Sequence, residues 1–89
     1  MKYTVYELRW DEGNEEHIWR HRVYAWEVED AVFDDPEREA SLHRNSRHGE
    51  SLIIKGRTRN GRQLIIYLKP IDPVAGTWRC ATARETKGK

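Results

Sequence analysis

The spacing of hydrophobic and polar residues changes at Pro36: the segment just before it has a helical period, and the chain after it has the period of extended strands. Loose alternation over residues 3–10 predicts a short first strand. Helical spacing then predicts two helices at about residues 15–22 and 26–33, the first of them capped by Asn14. Pro36 ends the second helix, because the residue before a proline is pushed out of the helical region.

The second half of the chain alternates as β-strands do. It predicts four strands, at residues 38–43, 51–58, 63–70 and 77–84. Asn60-Gly61 is the strongest short-range signal for a tight hairpin and, closed there, the hairpin sets Lys55 opposite Ile66. Neither face of that hairpin is cleanly apolar, and a one-residue bulge would exchange the two faces. The order of elements predicts an α+β fold, with two N-terminal helices packed on an antiparallel β-sheet.

The size and composition of the chain limit the class of protein. Its 89 residues predict one domain over residues 1–89, and a hydrophobic content of 37% predicts a small core. A core of this size favours a homodimer or a bound partner protein. Cys80 is the only cysteine, which excludes an intramolecular disulfide and favours a reducing compartment. With no signal peptide and no apolar run long enough for a membrane, the expected location is the cytoplasm.

Charge is sorted along the chain. Residues 1–40 carry five Lys/Arg against twelve Asp/Glu, a net of −7, whereas residues 41–89 carry eleven against three, a net of +8. Blocks of one sign indicate partners and steering rather than a fold. The basic half is suited to phosphates, and the acidic half can shield that surface or face a basic partner.

The basic residues concentrate around the predicted hairpin and on the strand beside it. Together with one aromatic residue, the predicted RNA-binding residues are Lys55, Arg59, Arg62, Tyr67 and Arg79. Cations and aromatic rings on a sheet are typical of single-stranded RNA recognition, which combines phosphate contacts with base stacking. The same composition is equally compatible with a solvated face whose charges aid solubility.

Histidines and one glutamate are the candidates for proton transfer. His43, His48 and Glu50 flank the polar loop between two predicted strands, and an imidazole titrates near neutral pH. His17 and His21 have the i, i+4 spacing of metal ligands, but Ile18 replaces the glutamate of the zinc-protease motif and no third ligand is evident. The sequence therefore predicts neither a metal nor another cofactor.

Several segments spread over residues 8–86 form an ordered pattern. In the first half these are Trp10-Asp11-Glu12-Gly13-Asn14, His17-Ile18, His21, Val23 and residues 28–33. In the second half they are Lys55-Gly56-Arg57-Thr58, Asn60-Gly61-Arg62, residues 64–67 and Thr82-Ala83-Arg84. In their order and spacing these segments resemble the BrnT-type toxins.

The resemblance implies a RelE-like fold and a type II toxin-antitoxin system of bacteria. Such a toxin is a ribonuclease that inhibits translation without a metal, and a cognate ribbon-helix-helix antitoxin similar to BrnA neutralises it. Operator DNA would be contacted only through the antitoxin. Arg57 and Arg84 match basic positions of the family's sheet and would hold the phosphate, while a 2′-hydroxyl attacks and a His or Glu moves the proton.

Two other functions fit the sequence. The first is a non-catalytic RNA-binding or regulatory module with the same fold, which would bind RNA in a salt-dependent way without cleaving it. The second is a structural partner protein that binds through its acidic helices.

Overall fold

Among the described residues, five strands form one sheet in the order β1-β5-β4-β3-β2. A computed structural model describes residues 4–47 and 49–86. The strands are β1 (Glu7–Arg9), β2 (Glu39–Asn45), β3 (Gly49–Arg57), β4 (Gln63–Asp72) and β5 (Thr77–Glu85). Two helices, α1 (Glu12–Trp19) and α2 (Ala25–Glu29), lie between β1 and β2, and a π-helical turn (Asp30–Asp34) follows α2 directly.

The sheet is mixed rather than antiparallel. Strands β2 to β5 are antiparallel neighbours, but β1 pairs parallel with β5 and sets Leu8 opposite Trp78. The predicted α+β fold, with two N-terminal helices packed on an antiparallel RelE-like sheet, is therefore wrong. The molecule is mostly β, with two short helices and a parallel strand at one edge of the sheet. Alternation along the sequence identifies strands, but it does not give the direction in which distant strands pair.

The helices are short and begin earlier than the sequence indicates. α1 has eight residues and α2 has five. Asp11, not Asn14, is the N-cap of α1: its Oδ1 accepts from the Asn14 backbone N–H at 2.9 Å, and Asn14 Oδ1 accepts from the Asp11 N–H at 2.8 Å. This reciprocal capping box starts the helix three residues before the predicted boundary. No helix within the described ranges is long and apolar enough to cross a membrane.

The core lies on one face of the sheet. Strand residues of that face, such as Leu52, Leu64 and Leu68, form a cluster with Ile18 and Val28 of the helices. The other face, which we call the open face, carries the alternate residues of the same strands. These are Glu39, Ser41 and His43 of β2, Ser51, Ile53, Lys55 and Arg57 of β3, Gln63, Ile65, Tyr67 and Lys69 of β4, and Arg79, Thr82 and Arg84 of β5.

The register of the central hairpin differs from the expected one by one residue. Lys55 lies opposite Ile65, not Ile66, because residues 58–62 form a five-residue connection instead of a two-residue turn. Thr58 N–H donates to the Arg62 carbonyl at 2.9 Å, and Gly61 N–H donates to the Thr58 carbonyl at 2.9 Å. The shift places the buried residues Leu52, Ile54, Leu64, Ile66 and Leu68 on one face and the cations of β3 and β4 on the other.

Candidate functional site

Three exposed cations lie close together on the open face. The strand register aligns Lys55 of β3 with Ile65 of β4 and Ile65 with Arg84 of β5, while Arg57 follows along β3. With a strand spacing of about 4.8 Å, the Cα atoms of Lys55 and Arg84 are roughly 10 Å apart. Within the described residues, none of the three side chains forms an ion pair. We call Lys55, Arg57 and Arg84 the basic cluster.

An apolar strip with one aromatic ring runs beside the basic cluster. Ile53 lies opposite Tyr67, and both side chains are partly buried on the face away from the core. On the far side of this strip, Lys69 lies opposite Arg79. The Arg79 guanidinium also donates to Asp11 at 3.2 Å, which balances part of its charge. The open face thus carries both predicted residues, Tyr67 two residues along β4 from Ile65, and Arg79 about four residues, or roughly 13 Å, from the basic cluster.

Arg59 points away from this cluster, to a buried carboxylate of the π-helical turn. Its Nε and Nη2 donate to the two oxygens of Asp30 at 2.9 and 2.8 Å, and its backbone N–H donates to Asp30 Oδ2 at 3.1 Å. The hydrogen bonds from Arg59 hold the pKa of Asp30 below its usual value. The guanidinium also lies 5.2 Å from the ring centre of Trp26. Its charge is therefore already balanced by a carboxylate of the protein, although 72% of the Arg59 side chain is exposed.

The Arg62 guanidinium is also bound by carboxylates of the protein. Its Nη1 donates to Glu27 at 2.7 Å and its Nε donates to Glu85 at 3.0 Å. The Arg62 side chain is only 20% exposed and that of Glu27 only 4%. The RNA contacts predicted for Arg59 and Arg62 remain predictions, but both residues join the hairpin connection to the helical segment.

The predicted proton-transfer groups do not lie beside the basic cluster. His43 is on the open face but opposite Ser51, four residues from the end of β2 that faces Lys55, or about 13 Å along the strand. Glu50 belongs to the opposite face and accepts from Arg44 Nη2 at 2.6 Å. His48 lies outside the described residues.

A different carboxylate lies next to the cluster. Glu39 of β2 is directly opposite Lys55 on the open face. A cavity of about 350 Å³ at this end of the sheet is lined in part by Glu39, Lys55, Arg57 and Gln63, and the carboxylates of Asp35 and Glu37 also line it. The sequence gives no local signal for Glu39, since its position depends on the pairing of β2 with β3. A carboxylate near two cations provides a proton acceptor beside a phosphate site.

His17, His21 and Cys80 lie away from the open face, the histidines in and just after α1 and the cysteine in the core. The rings of His17 and His21 are 6.0 Å apart in an edge-on arrangement. Over residues 4–47 and 49–86, no group of three or more His, Cys, Asp or Glu side chains could hold a metal ion. Burial raises the pKa of Cys80 to about 12, so its thiol is not an activated nucleophile.

The fold and the open face define a small mixed-sheet protein with one basic, partly aromatic surface. The chain matches no family model, no curated protein and no solved structure. The resemblance to BrnT-type toxins therefore stays a prediction, and the open face itself is the basis for inferring a function.

Proposed function

We propose that the open face binds single-stranded RNA. The observation that supports this is the basic cluster beside Tyr67 and Ile65, on the sheet face away from the core. Exposed cations attract phosphates, and an aromatic ring on a flat sheet offers a surface on which an unpaired base can stack. The acidic residues of the helical segment repel RNA from the other side of the molecule, which favours one binding orientation.

Removal of the basic cluster tests this proposal. We expect the triple variant Lys55→Gln, Arg57→Gln, Arg84→Gln to bind a single-stranded oligonucleotide roughly a hundredfold more weakly at low salt, because three phosphate contacts are lost. The slope of log affinity against log salt concentration should become less steep by about 2, since each contact to a single strand contributes about 0.7. Fluorescence anisotropy with a labelled oligonucleotide measures both quantities.

The matched control removes three arginines from the acidic half. The variant Arg20→Gln, Arg22→Gln, Arg38→Gln changes the net charge by the same amount but leaves the open face intact. It should retain most of the affinity and the wild-type salt slope. Equal losses in the two triple variants would show that only the net charge matters, and would contradict a binding site on the open face.

A second candidate function is RNA cleavage, and the position of Glu39 favours it. Here the Glu39 carboxylate accepts the proton of a 2′-hydroxyl, and O2′ attacks the neighbouring phosphorus. The bond from phosphorus to O5′ breaks, O5′ takes a proton from water, and the products end in a 2′,3′-cyclic phosphate and a 5′-hydroxyl. Lys55 and Arg57 offset the charge that develops on the phosphate oxygens.

A substitution of Glu39 separates cleavage from binding. We expect Glu39→Gln to cleave a single-stranded RNA at least about a hundredfold more slowly, the usual contribution of a general base, while its affinity for RNA is unchanged or slightly higher. Glu37→Gln is the control, because Glu37 lines the same cavity from outside the sheet. RNA left intact by the wild type, or equal cleavage by wild type and Glu39→Gln, would leave the open face as a binding surface only.

The biological role follows from the resemblance to BrnT-type toxins. On that basis we propose that the chain acts in the cytoplasm as a toxin that inhibits translation, with a ribbon-helix-helix antitoxin similar to BrnA as its partner. Induction of the chain alone and together with its neighbouring gene product tests this role. Growth arrest that the neighbour relieves is the expected result, and normal growth with intact RNA would count against it.

A further inference from the structure

Strand β2 leaves one long edge of the sheet unpaired. It is the last strand in the sheet order and has seven residues, whereas β1 at the other edge has three. Within residues 4–47 and 49–86, no strand pairs with the outer side of β2. The backbone N–H and C=O groups of this side are directed outwards and can accept another strand.

We propose that two copies of the chain pair antiparallel along β2, around a two-fold axis that passes between the two Ser41 residues. In this register Glu39 lies opposite His43 of the second copy, and Ala40 lies opposite Leu42 of the second copy. The pairing is isologous, so each of these contacts occurs twice. The occupant of the edge is thus another copy of the same chain, because β2 is complementary to itself.

The apolar contacts of this register lie over a cavity. Ala40 and Leu42 are on the core side of β2, where each is only partly buried at the margin of the core. An open cavity of about 530 Å³ lies beside Ala40, and Val32, Arg38 and Ile54 also line it. The Leu42 side chain of the second copy would lie opposite the small Ala40, at this cavity, and would bury apolar surface that a single copy exposes.

The polar contacts select the same register. On the open face, Glu39 meets an imidazole of the second copy, a pair that attracts when the ring is protonated and can hydrogen-bond when it is neutral. An axis at Leu42 instead would keep one Leu42 pair but set both Ala40 residues opposite Arg44, and an axis at Ala40 would set both Leu42 residues opposite Arg38. In the Ser41 register Arg38 lies opposite Arg44 of the second copy, and Glu50 already balances the charge of that Arg44 at 2.6 Å.

The dimer has a consequence for the open face. A two-fold axis between antiparallel edge strands is perpendicular to the sheet, so the two sheets join into one with both open faces on the same side. The two basic clusters then belong to one continuous surface. Pairing along β2 does not require RNA, so the dimer can be tested without RNA. A failure of the dimer test would therefore leave the proposed RNA binding unaffected, and a failure of RNA binding would leave the dimer unaffected.

A single cysteine on the axis tests the register. In Ser41→Cys the two Cα atoms of the dimer would be about 4.5–5.5 Å apart, within the range that a disulfide spans. We expect mild oxidation to cross-link this variant at least roughly tenfold faster than Ser46→Cys, whose cysteine is in the exposed turn after β2. Buried Cys80 does not compete, because its thiol stays protonated. Equal cross-linking rates for the two variants would overturn the proposal.

A charge exchange provides the second measurement. Glu39→Lys alone and His43→Glu alone should each weaken dimerisation roughly tenfold in sedimentation equilibrium, because each change affects two symmetry-related pairs. The double variant should regain the wild-type dimer affinity. A wild-type protein that stays monomeric at every concentration, or a double variant weaker than both single ones, would overturn the β2 dimer.

Discussion

Substitution of Gly56 by alanine is expected to lower the free energy of unfolding by about 2–3 kcal/mol, the cost of overpacking a core. A Cβ atom at this position would lie 2.6 Å from the carbonyl oxygen of Ala31 and 3.0 Å from its Cβ. The oxygen belongs to the backbone of the π-helical turn, so it cannot rotate away as a side chain would. Urea denaturation followed by circular dichroism measures the change, and the melting temperature should fall by about 10–20 °C.

Lys55→Ala is the matched control for the glycine substitution. Lys55 precedes Gly56 on β3 but lies on the open face and is exposed. Its loss should alter the free energy of unfolding by no more than about 0.5 kcal/mol. A Gly56→Ala variant as stable as Lys55→Ala would mean that β3 and the π-helical turn do not approach each other as closely as described.

Gly56 also shows a sequence signal that the predicted fold left out. A glycine inside a strand pattern indicates a close approach of another backbone, and the structure has one there. The predicted strands at residues 51–58, 63–70 and 77–84 correspond to Gly49–Arg57, Gln63–Asp72 and Thr77–Glu85. Alternation, proline and Asn-Gly are local signals, so they locate strands and turns well.

Contacts between distant residues could not be predicted in this way. Leu8 pairs in parallel with Trp78, and no local pattern specifies that partner or its direction. A shift of one residue in the hairpin connection changed which residues face each other. For the same reason the predicted α+β fold was wrong although most of its strands were placed correctly.

The candidate site could also be predicted only in part, because it depends on contacts between distant residues. Lys55, Arg57, Tyr67, Arg79 and Arg84 lie on one face only in the observed register. The predicted pairing of Lys55 with Ile66 would have put Lys55 and Arg57 on the face away from Tyr67. The partners of the arginines in the connection were not visible in the sequence. Arg59 and Arg62 find carboxylates 29 and 35 residues away, and net charge does not indicate which pairs form.

Replacement of Glu27 by alanine is expected to destabilise the protein by about 3 kcal/mol, the low end of the cost of breaking a buried ion pair. Glu27 Oε1 accepts from Arg62 Nη1 at 2.7 Å and from the Tyr24 backbone N–H, at the start of α2, at 3.0 Å. Its loss leaves the largely buried Arg62 guanidinium without its inner partner and removes the cap of α2. Thermal and urea unfolding should both register the change.

Glu85→Ala is the control, because Glu85 binds the same guanidinium from an exposed position, with 54% of its side chain accessible. Exposed ion pairs are typically worth less than about 1 kcal/mol, so this variant should remain close to wild-type stability. Equal losses of stability in Glu27→Ala and Glu85→Ala would mean that the burial of Glu27 adds nothing to the strength of its ion pair with Arg62. A small loss of stability in Glu85→Ala and a large one in Glu27→Ala would establish that Arg62 joins the hairpin connection to α2. The Arg62 charge would then stabilise the fold, which limits its availability to an RNA phosphate.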